Sequence, residues 1–560
     1  MPIQHKGSGI IVETYLTYEK LSGRRSTFGE FHAELSRYPS DIILRVCSAL
    51  NILLFGWSSR FDKDLHDRLV QMLCQVASDV IKRDPLKVLF HRQVLLLVAK
   101  EALRTGPNTG PQPSVRYDMT RLFAMANDQF AAAEGPAEEG ASSTIELISR
   151  FMSVSEFQFA HPAIRLSRPF VMLKKFAELV PKEGKQFNIP EMFEKETGVS
   201  PEVYFPLVMG CMTKYVNYGL EQFSSASQDF TLGFEWFKDT NLSKEQLERF
   251  FADLSGDYKD FQKLLKRFDR GVSDFTIFRE RPIVRLGDRF LTMDFSFLAA
   301  KSESAFFWRA QASIPNSQRE SFHAFWGALF ERYMHRLLKQ AVDSEINRYV
   351  ESPCYVDRPN DQACDAIILC KGYAVFIEFK GSMFRADAKW SGDAALLERE
   401  LRTKLVGDDG GDRKGVRQLA NAISNVFERR RALIGVDLSG VSKVYPVLVT
   451  YDEIGDAWFL ATYLNEEFKK VVNRRKVRVK ITPTFSISAD QLERLAGTFK
   501  SIALSDILDG RYRQEPSLKM PFGLPNNPAF KNLKKLEPPA TVDEGSAELL
   551  REATRFFPNE

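Results

Sequence analysis

The segment CDAIILCKGYAVFIEFKGS, residues 364 to 382, most constrains the fold of this chain. Two apolar runs flank a Lys-Gly pair, and such a turn between strand-like runs predicts a β-hairpin. Antiparallel pairing across the turn places Asp365 opposite Glu378 or Phe379. Because side chains alternate along a strand, Glu378 and Lys380 share one of its faces. The hairpin therefore gathers three charged side chains at one end.

The composition indicates a globular protein of more than one domain. The 560 residues exceed what one hydrophobic core usually supports. The chain has 77 Lys and Arg against 73 Asp and Glu, so its formal charge is only +4 and any attraction for polyanions has to come from local patches. The six cysteines include no CxxC pair, which indicates reduced core thiols. Cys354, Cys364 and Cys370 lie close in sequence but lack a fourth ligand at zinc spacing.

The N-terminus and the apolar stretches bear on localisation. MPIQHKGSGIIVETYLTYEK has neither an apolar signal core nor a small-residue cleavage pattern. The longest apolar stretch, IILRVCSALNILLFGW, is interrupted by Arg45 and Asn51 and is too short to span a bilayer. We therefore expect a cytoplasmic protein without a membrane partner.

Hydrophobic periodicity predicts a multidomain chain with a mostly α-helical N-terminal half. Apolar residues recur every three or four positions from about Thr27 to Leu103 and in later segments up to about residue 280. Ser243 and Gln246 predict a capping box at the start of one such helix. We expect a helical bundle over 1–104, a second helical region over 105–280, an α/β domain over 281–512 and a Pro-rich extended tail with one short helix over 513–560.

The pattern changes near Arg281, where RPIVRLGDRFLTMDF predicts a hairpin. Beyond it the sequence predicts a helix (about 317–341), three strands (about 347–356, 364–370 and 374–380), a helix (about 414–432), a strand (444–451) and a helix (488–499). This αβββαβ order predicts a mixed sheet with helices on its faces.

The charges of the hairpin suit phosphodiester chemistry if a cation joins them. Mg²⁺ takes oxygen ligands, commonly one or two carboxylates with water and a substrate phosphate, and the carbonyl of Phe379 would add another. Such an ion lowers the pKa of a bound water and neutralises charge on a phosphate. Lys380 would position or activate that water and stabilise the transition state. The competing interpretation is a strand whose charged face is solvated.

The helices on either side of the hairpin carry further candidates. In SFHAFWGALFERYMHRLLKQ, Glu331 projects from small and apolar residues, where a carboxylate has to be paired or ligated. An arginine partner is the alternative to a metal for Glu331, and we expect His335 to be partly exposed. In KGVRQLANAISNVFERRR, Lys414 and Gln418 lie one turn apart on a flank, where a solvated face is the alternative to a role in the site.

Asp365, followed after twelve residues by Glu378-Phe379-Lys380 across a hairpin, resembles the PD-(D/E)xK nuclease superfamily, which has the restriction-endonuclease-like fold. Cys364 stands where the family name has its proline. The resemblance covers about 317 to 451 and implies the αβββαβ core. It implies metal ligands and catalytic residues at the positions already named: Asp365, Glu378 and the Phe379 carbonyl with Glu331 for the metal, and Asp365, Glu378, Lys380 and Gln418 for catalysis.

The resemblance also implies an activity and partners. A nuclease of this family depends on Mg²⁺, for which Mn²⁺ can substitute, and DNA is favoured over RNA because the superfamily mostly cleaves DNA. A helical module fused to such a core resembles architectures in bacterial anti-phage defence and in DNA repair. The alternative function is a catalytically inactive scaffold that binds nucleic acid, or a protein partner through the helical half. The sequence leaves the oligomeric state open.

Two further segments would contact the substrate. Residues 381–413 form a long insertion that we expect to act as a mobile lid. FKKVVNRRKVRVKI, residues 468–481, is densely basic, and alternation would point Arg478 and Lys480 outward along a phosphate backbone, although a solvated surface is the alternative. The predicted nucleic-acid contacts are Lys414, Arg474, Arg475, Lys476, Arg478 and Lys480.

Overall fold

The computed structural model of the protein describes residues 3–6, 9–12, 14–56, 61–109, 118–134, 143–156, 162–173, 187–225, 230–342, 346–407, 415–472, 477–520, 522 and 540–556. The chain is mainly helical up to about residue 280 and carries a mixed β-sheet beyond it, which confirms the predicted division into a helical half and an α/β part. Four predicted site residues lie outside the described ranges: Lys414, Arg474, Arg475 and Lys476.

The first part of the chain consists of helices with short strands between them. The strands are β1 (Ile3–Lys6), β2 (Gly9–Val12), β3 (Thr14–Tyr15), β4 (Lys87–Val88), β5 (Ser255–Gly256), β6 (Ile283–Leu286) and β7 (Arg289–Thr292). The helices are α1 (Tyr18–Ser22), α2 (Phe28–Leu35), α3 (Ser40–Phe55), α4 (Lys63–Leu73), α5 (Gln75–Arg83), α6 (Arg92–Thr105), α7 (Thr120–Glu134), α8 (Thr144–Glu156), α9 (Pro162–Val171), α10 (Ile189–Thr197), α11 (Pro201–Thr213), α12 (Leu220–Ser225), α13 (Lys244–Leu254), α14 (Tyr258–Phe268), α15 (Thr276–Glu280), α16 (Phe295–Ala300) and α17 (Ser304–Ala312).

The α/β part follows. Its strands are β8 (Asn347–Glu351), β9 (Cys354–Tyr355), β10 (Arg358–Gln362), β11 (Ala366–Cys370), β12 (Tyr373–Lys380), β13 (Lys443–Thr450), β14 (Lys480–Ile481) and β15 (Phe485–Ser488). Its helices are α18 (Arg319–Val342), α19 (Ala386–Trp390), α20 (Ala394–Leu401), α21 (Gly415–Phe427), α22 (Leu460–Val471), α23 (Ala489–Ala496), α24 (Leu504–Gln514) and α25 (Ala540–Phe556). Short 3₁₀ turns lie at Phe234–Phe237, Asn316–Gln318 and Glu453–Asp456, and a π-helical turn lies at Arg402–Val406.

A long helix predicted from periodicity is broken by a tertiary contact. The segment DLHDRLVQMLCQVASDVIKR forms α4 and α5, which meet at Cys74. The N–H of Val76 donates to the carboxylate of Asp118, and the N–H of Ala77 donates to the hydroxyl of Thr120. The start of α7 thus caps a second helix, because these side chains satisfy N–H groups that have no partner inside α5.

The structure confirms the predicted capping box and the predicted hairpin near Arg281, both of which depend only on neighbouring residues. The side chain of Ser243 accepts from the N–H of Gln246, whose own side chain accepts from the N–H of Ser243, so the predicted capping box begins α13. β6 and β7 form the predicted hairpin, and Gly287 in its turn has φ +66°. Glycine is favoured there because other residues adopt a positive φ less readily.

The apolar stretch at the N-terminus forms α3, as predicted. Its side chains Ile43, Leu44 and Leu50 are buried in the core. No single helix within the described ranges is both long and apolar enough to cross a membrane. α2 and α3 meet that test only as a pair, and they are bent by 102° at the break between them.

The strands of the main sheet lie in the order β14, β13, β12, β11, β8, and β15 lies beside the second half of β13. β11 is antiparallel to both β8 and β12, and β13 is parallel to β12. With α18 before β8 and α21 before β13, the predicted αβββαβ order is present, and β9 with β10 adds a small antiparallel pair that the sequence did not predict. Because α21 joins two parallel strands, its first turn lies toward the carboxyl end of β12.

Both faces of the main sheet are covered. One set of alternating β12 side chains belongs to a core shared with α18 and the N-terminal helices: Val375, Ile377 and Phe379. The other set belongs to a second core with α21 and α22: Ala374 and Phe376. Glu378 and Lys380 follow Phe376 on the second face, because side chains alternate. A solvated charged face, the alternative left open by the sequence, is wrong, since Glu378 is only 1% exposed.

The insertion after β12 is folded into the second core. Leu397, Leu401 and Leu405 are fully buried there, and α8 from the helical half packs on α19 and α20. Residues 381–407 are therefore folded in this structure, and their action as a mobile lid stays a prediction. The sequence did not indicate the contact with α8, because that helix lies far earlier in the chain.

A close contact between two glycines holds α18 against the end of β12. A Cβ added to Gly381, which follows Lys380, would lie 3.0 Å from the Cα of Gly327 and 3.3 Å from the Cβ of Phe330. A Cβ added to Gly327 would meet nothing within 4 Å. The approach of α18 to the sheet therefore favours glycine at position 381 and leaves room for a side chain at position 327.

We expect Gly381→Ala to lower the free energy of unfolding by about 1–3 kcal/mol, because the new methyl group overpacks a close backbone contact. Gly327→Ala is the matched control, and it should raise that free energy by up to about 1 kcal/mol because alanine is favoured over glycine inside a helix. Urea unfolding followed by circular dichroism measures both. Similar effects of the two substitutions would contradict the packing described.

Candidate active site

The β11–β12 hairpin sets the positions of two acids. Ala366 pairs with Ile377, so Asp365 faces Glu378, as the sequence predicts. The N–H of Phe379 donates to Oδ2 of Asp365 at 2.6 Å. The hairpin thus fixes one carboxylate with a backbone hydrogen bond from the strand that carries the other.

Asp365 is buried and has a second partner that sequence reasoning missed. The side-chain amide of Gln362, at the end of β10, donates to Oδ1 of Asp365 at 3.0 Å. Burial raises the pKa of the Asp365 carboxyl to about 6; the charge of Lys380 opposes this shift and the charge of Glu331 adds to it. Gln362 gave no signal because it lies in an exposed segment without periodicity.

Glu378 has one satisfied and one unsatisfied oxygen. The ammonium of Lys380 donates to Oε1 at 2.7 Å. Oε2 is buried and has no hydrogen-bond partner among the residues that the structure describes. Burial raises the pKa of Glu378 to about 8, with Lys380 opposing the shift and Asp365 adding to it. A buried carboxylate oxygen without a partner is unfavourable.

Lys380 provides the positive charge of this group. Its side chain is 17% exposed, so solvent still reaches it. Burial alone would lower the pKa of Lys380, but the negative charges of Glu378 and Asp365 outweigh burial and raise it. Lys380 is therefore an ammonium ion at neutral pH.

Glu331 lies near this group, and a histidine stands where an arginine was the predicted alternative to a metal. Its side chain is 35% exposed, and Oε1 lies 3.3 Å from Nε2 of His335 rather than beside an arginine. After burial, the charge of Glu331 is among the causes that raise the pKa of Asp365 and of Glu378. His335 is buried and packs edge-on against the ring of Phe379 at 5.5 Å, so its predicted exposure is wrong.

Of Gln418 and the predicted nucleic-acid contacts, only Gln418, Arg478 and Lys480 lie within the described ranges. Gln418 is half-buried near the start of α21, toward the carboxyl end of β12, and no hydrogen bond joins it to another described residue. Arg478 and Lys480 are exposed, while Val477 and Val479 pack against the second core, so the predicted alternation is confirmed. Contact of these cations with nucleic acid stays a prediction.

Oxygen donors suited to a divalent cation meet at the hairpin, although they are few. Within the described ranges, no group of three or more His, Cys, Asp or Glu side chains is arranged to hold a metal ion. The two facing carboxylates and the carbonyl of Phe379 are a set that suits Mg²⁺ when water or phosphate supplies the other ligands. Ligation of the metal by Glu331 stays a prediction.

In the absence of metal, we expect stability to fall as the pH rises between about 4 and about 8. The raised pKa values of Asp365 and Glu378 mean that the folded state binds more protons than the unfolded state in this window, so a higher pH favours unfolding. Glu378→Gln stays neutral and should flatten this dependence in urea unfolding with EDTA.

Asp437→Asn is the matched control for that measurement. Asp437 is exposed, and its pKa is lowered by hydrogen bonds from Ser439, so its titration falls outside the window. The control should keep the wild-type slope of stability against pH. A slope that Glu378→Gln leaves unchanged would contradict the raised pKa of Glu378.

Known proteins offer no guide to the activity. Comparisons of the chain with known protein families, with curated proteins and with solved structures each found no match. The functional interpretation therefore depends on the residues of the candidate site and on their geometry.

Proposed function

We propose that the chain is a metal-dependent nuclease that hydrolyses phosphodiester bonds, with DNA favoured over RNA. The observation that carries the proposal is the buried pair Asp365 and Glu378, with the unpartnered Oε2 of Glu378 and the ammonium of Lys380 beside it. A place in anti-phage defence or DNA repair would follow from the fusion of a helical half to such a core, by analogy alone.

The charge balance of the site supports a cation. Burial raises the pKa of Asp365 and of Glu378, and the neighbouring acidic groups add to that rise while Lys380 opposes it, so a cation that favours the ionised carboxylates would relieve the cost. Asp365, Glu378 and the Phe379 carbonyl would hold Mg²⁺, or Mn²⁺ in its place. When bound, such an ion would lower the pKa of a coordinated water and offset the charge of the phosphate.

The residues of the chain would have separate tasks in the reaction. The N–H of Phe379 and the amide of Gln362 fix the orientation of the Asp365 carboxylate. Lys380 is protonated, so it donates hydrogen bonds to the attacking water or to a phosphate oxygen and does not accept the proton of the water. Glu378 holds the ammonium of Lys380 in place through Oε1.

An inactive scaffold is the second function class, and the burial of the site argues against it. Replacing buried ionic groups with well-packed apolar residues is often neutral or stabilising. A protein that used this fold only for binding would gain nothing from keeping Asp365, Glu378 and Lys380 together in its interior. The cost of burying them is compensated if they perform chemistry.

The nuclease proposal is tested with supercoiled plasmid, linear duplex, single-stranded DNA and RNA, each with Mg²⁺, Mn²⁺ or EDTA. We expect cleavage that requires the metal and that falls by at least about 100-fold in Lys380→Ala, because a charge that stabilises the transition state is lost. Asp365→Asn should be inactive, while Asp437→Asn should keep wild-type activity. Cleavage that persists in Lys380→Ala or in EDTA would contradict the proposal.

The exposed cations of the basic segment have a test of their own. In the Lys380→Ala background, the double substitution Arg478→Ala/Lys480→Ala should reduce the slope of log affinity for DNA against log salt by about 2, because each phosphate contact contributes about 1. The control pair is Lys238→Ala/Lys244→Ala, which removes two exposed lysines of the helical half. Equal slopes for both pairs would exclude contact between Arg478 or Lys480 and the substrate.

A further inference from the structure

Glu331 lies at the end of a chain of side chains that begins on the edge strand β8. The hydroxyl of Tyr349 is hydrogen-bonded to Nδ1 of His335, and Nε2 of His335 lies 3.3 Å from Oε1 of Glu331. A carboxylate only accepts hydrogen bonds, so we assign the ring proton to Nε2. Nδ1 then accepts from the hydroxyl of Tyr349, and the three side chains form a relay.

The relay is held by packing on both sides. The ring of His335 is buried, and Oγ of Ser352 lies 3.4 Å from its Nε2. Tyr349 is fixed by the strand pairing of β8 with β11, in which it faces Ile368. The imidazole therefore has little freedom to turn away from Glu331.

The same packing connects the relay to the acidic pair. His335 lies edge-on against the ring of Phe379, whose N–H holds Asp365. Phe330, the neighbour of Glu331, lies against Gly381 and therefore next to Lys380. Glu331 is thus anchored close to the open end of the hairpin, where Asp365 and Lys380 lie, although its own side chain is 35% exposed and would otherwise turn freely into solvent.

We propose that Tyr349 and His335 are positioning residues that hold the carboxylate of Glu331 toward the cation site of Asp365 and Glu378. The inference rests on the proposed function. Because Oε1 of Glu331 is engaged by His335 and the side chain is partly exposed, we place Glu331 beside the direct ligands, where its charge would act on the cation through a water molecule. When side chains that orient the groups around the direct metal ligands are removed, metal affinity typically falls by about 10- to 100-fold.

A double-mutant cycle on Mn²⁺ binding, measured by titration calorimetry, tests this relay. Tyr349→Phe should weaken Mn²⁺ binding by about 10-fold in the wild-type chain and should have no further effect in Glu331→Gln, because the relay acts only through that carboxylate. His335→Gln, which keeps a donor, should bind Mn²⁺ more tightly than His335→Ala. A merely structural role would not produce this dependence on Glu331.

Tyr463→Phe is the matched control, because the hydroxyl of Tyr463 is buried without a hydrogen-bond partner among the described residues. It should bind Mn²⁺ like the wild type, and urea unfolding checks that every variant folds. Wild-type affinity in Tyr349→Phe, or an equal loss with and without Glu331, would overturn the relay and leave the nuclease site standing. A wild-type chain that binds no Mn²⁺ would overturn both.

Discussion

Two carboxylates, those of Asp365 and Glu378, face each other across a buried hairpin with one ammonium group beside them. Their meeting depends on the register of β11 and β12, because a slip of one residue would turn the charged side chains toward the opposite face of the sheet. Apolar packing on both faces of β12 fixes that register. The close contact of Gly381 with Gly327 then brings α18, and Glu331 with it, to the same end of the sheet.

The helical half is joined to the helix that carries Glu331. Arg168 of α9 is buried and paired with Glu493 of α23 at 2.7 Å, and the hydroxyl of Tyr333 on α18 donates to the same carboxylate at 2.6 Å. One core cluster includes residues from both parts of the chain, from Leu16 to Leu549. The helical half thus supports the α/β part directly, and the predicted domain boundaries stay predictions.

The sequence predicts the features that depend on neighbouring residues. The turn and register of the hairpin, the capping box at Ser243 and the order of strands and helices around the sheet follow from local spacing. Features that depend on distant partners are not predicted. The break at Cys74 arises from contacts with the start of α7, and the buried position of His335 depends on Tyr349 and Phe379, which approach only once the sheet forms.

The central claim is that the buried acidic pair is a cation site, and proton counting tests it most directly. Mg²⁺ would be titrated into the protein near neutral pH by calorimetry, in two buffers with different ionisation enthalpies. Because burial raises the pKa of Glu378 to about 8, we expect binding to release protons and to be lost in Asp365→Asn. The absence of binding, or binding without proton release that persists in Asp365→Asn, would contradict the claim.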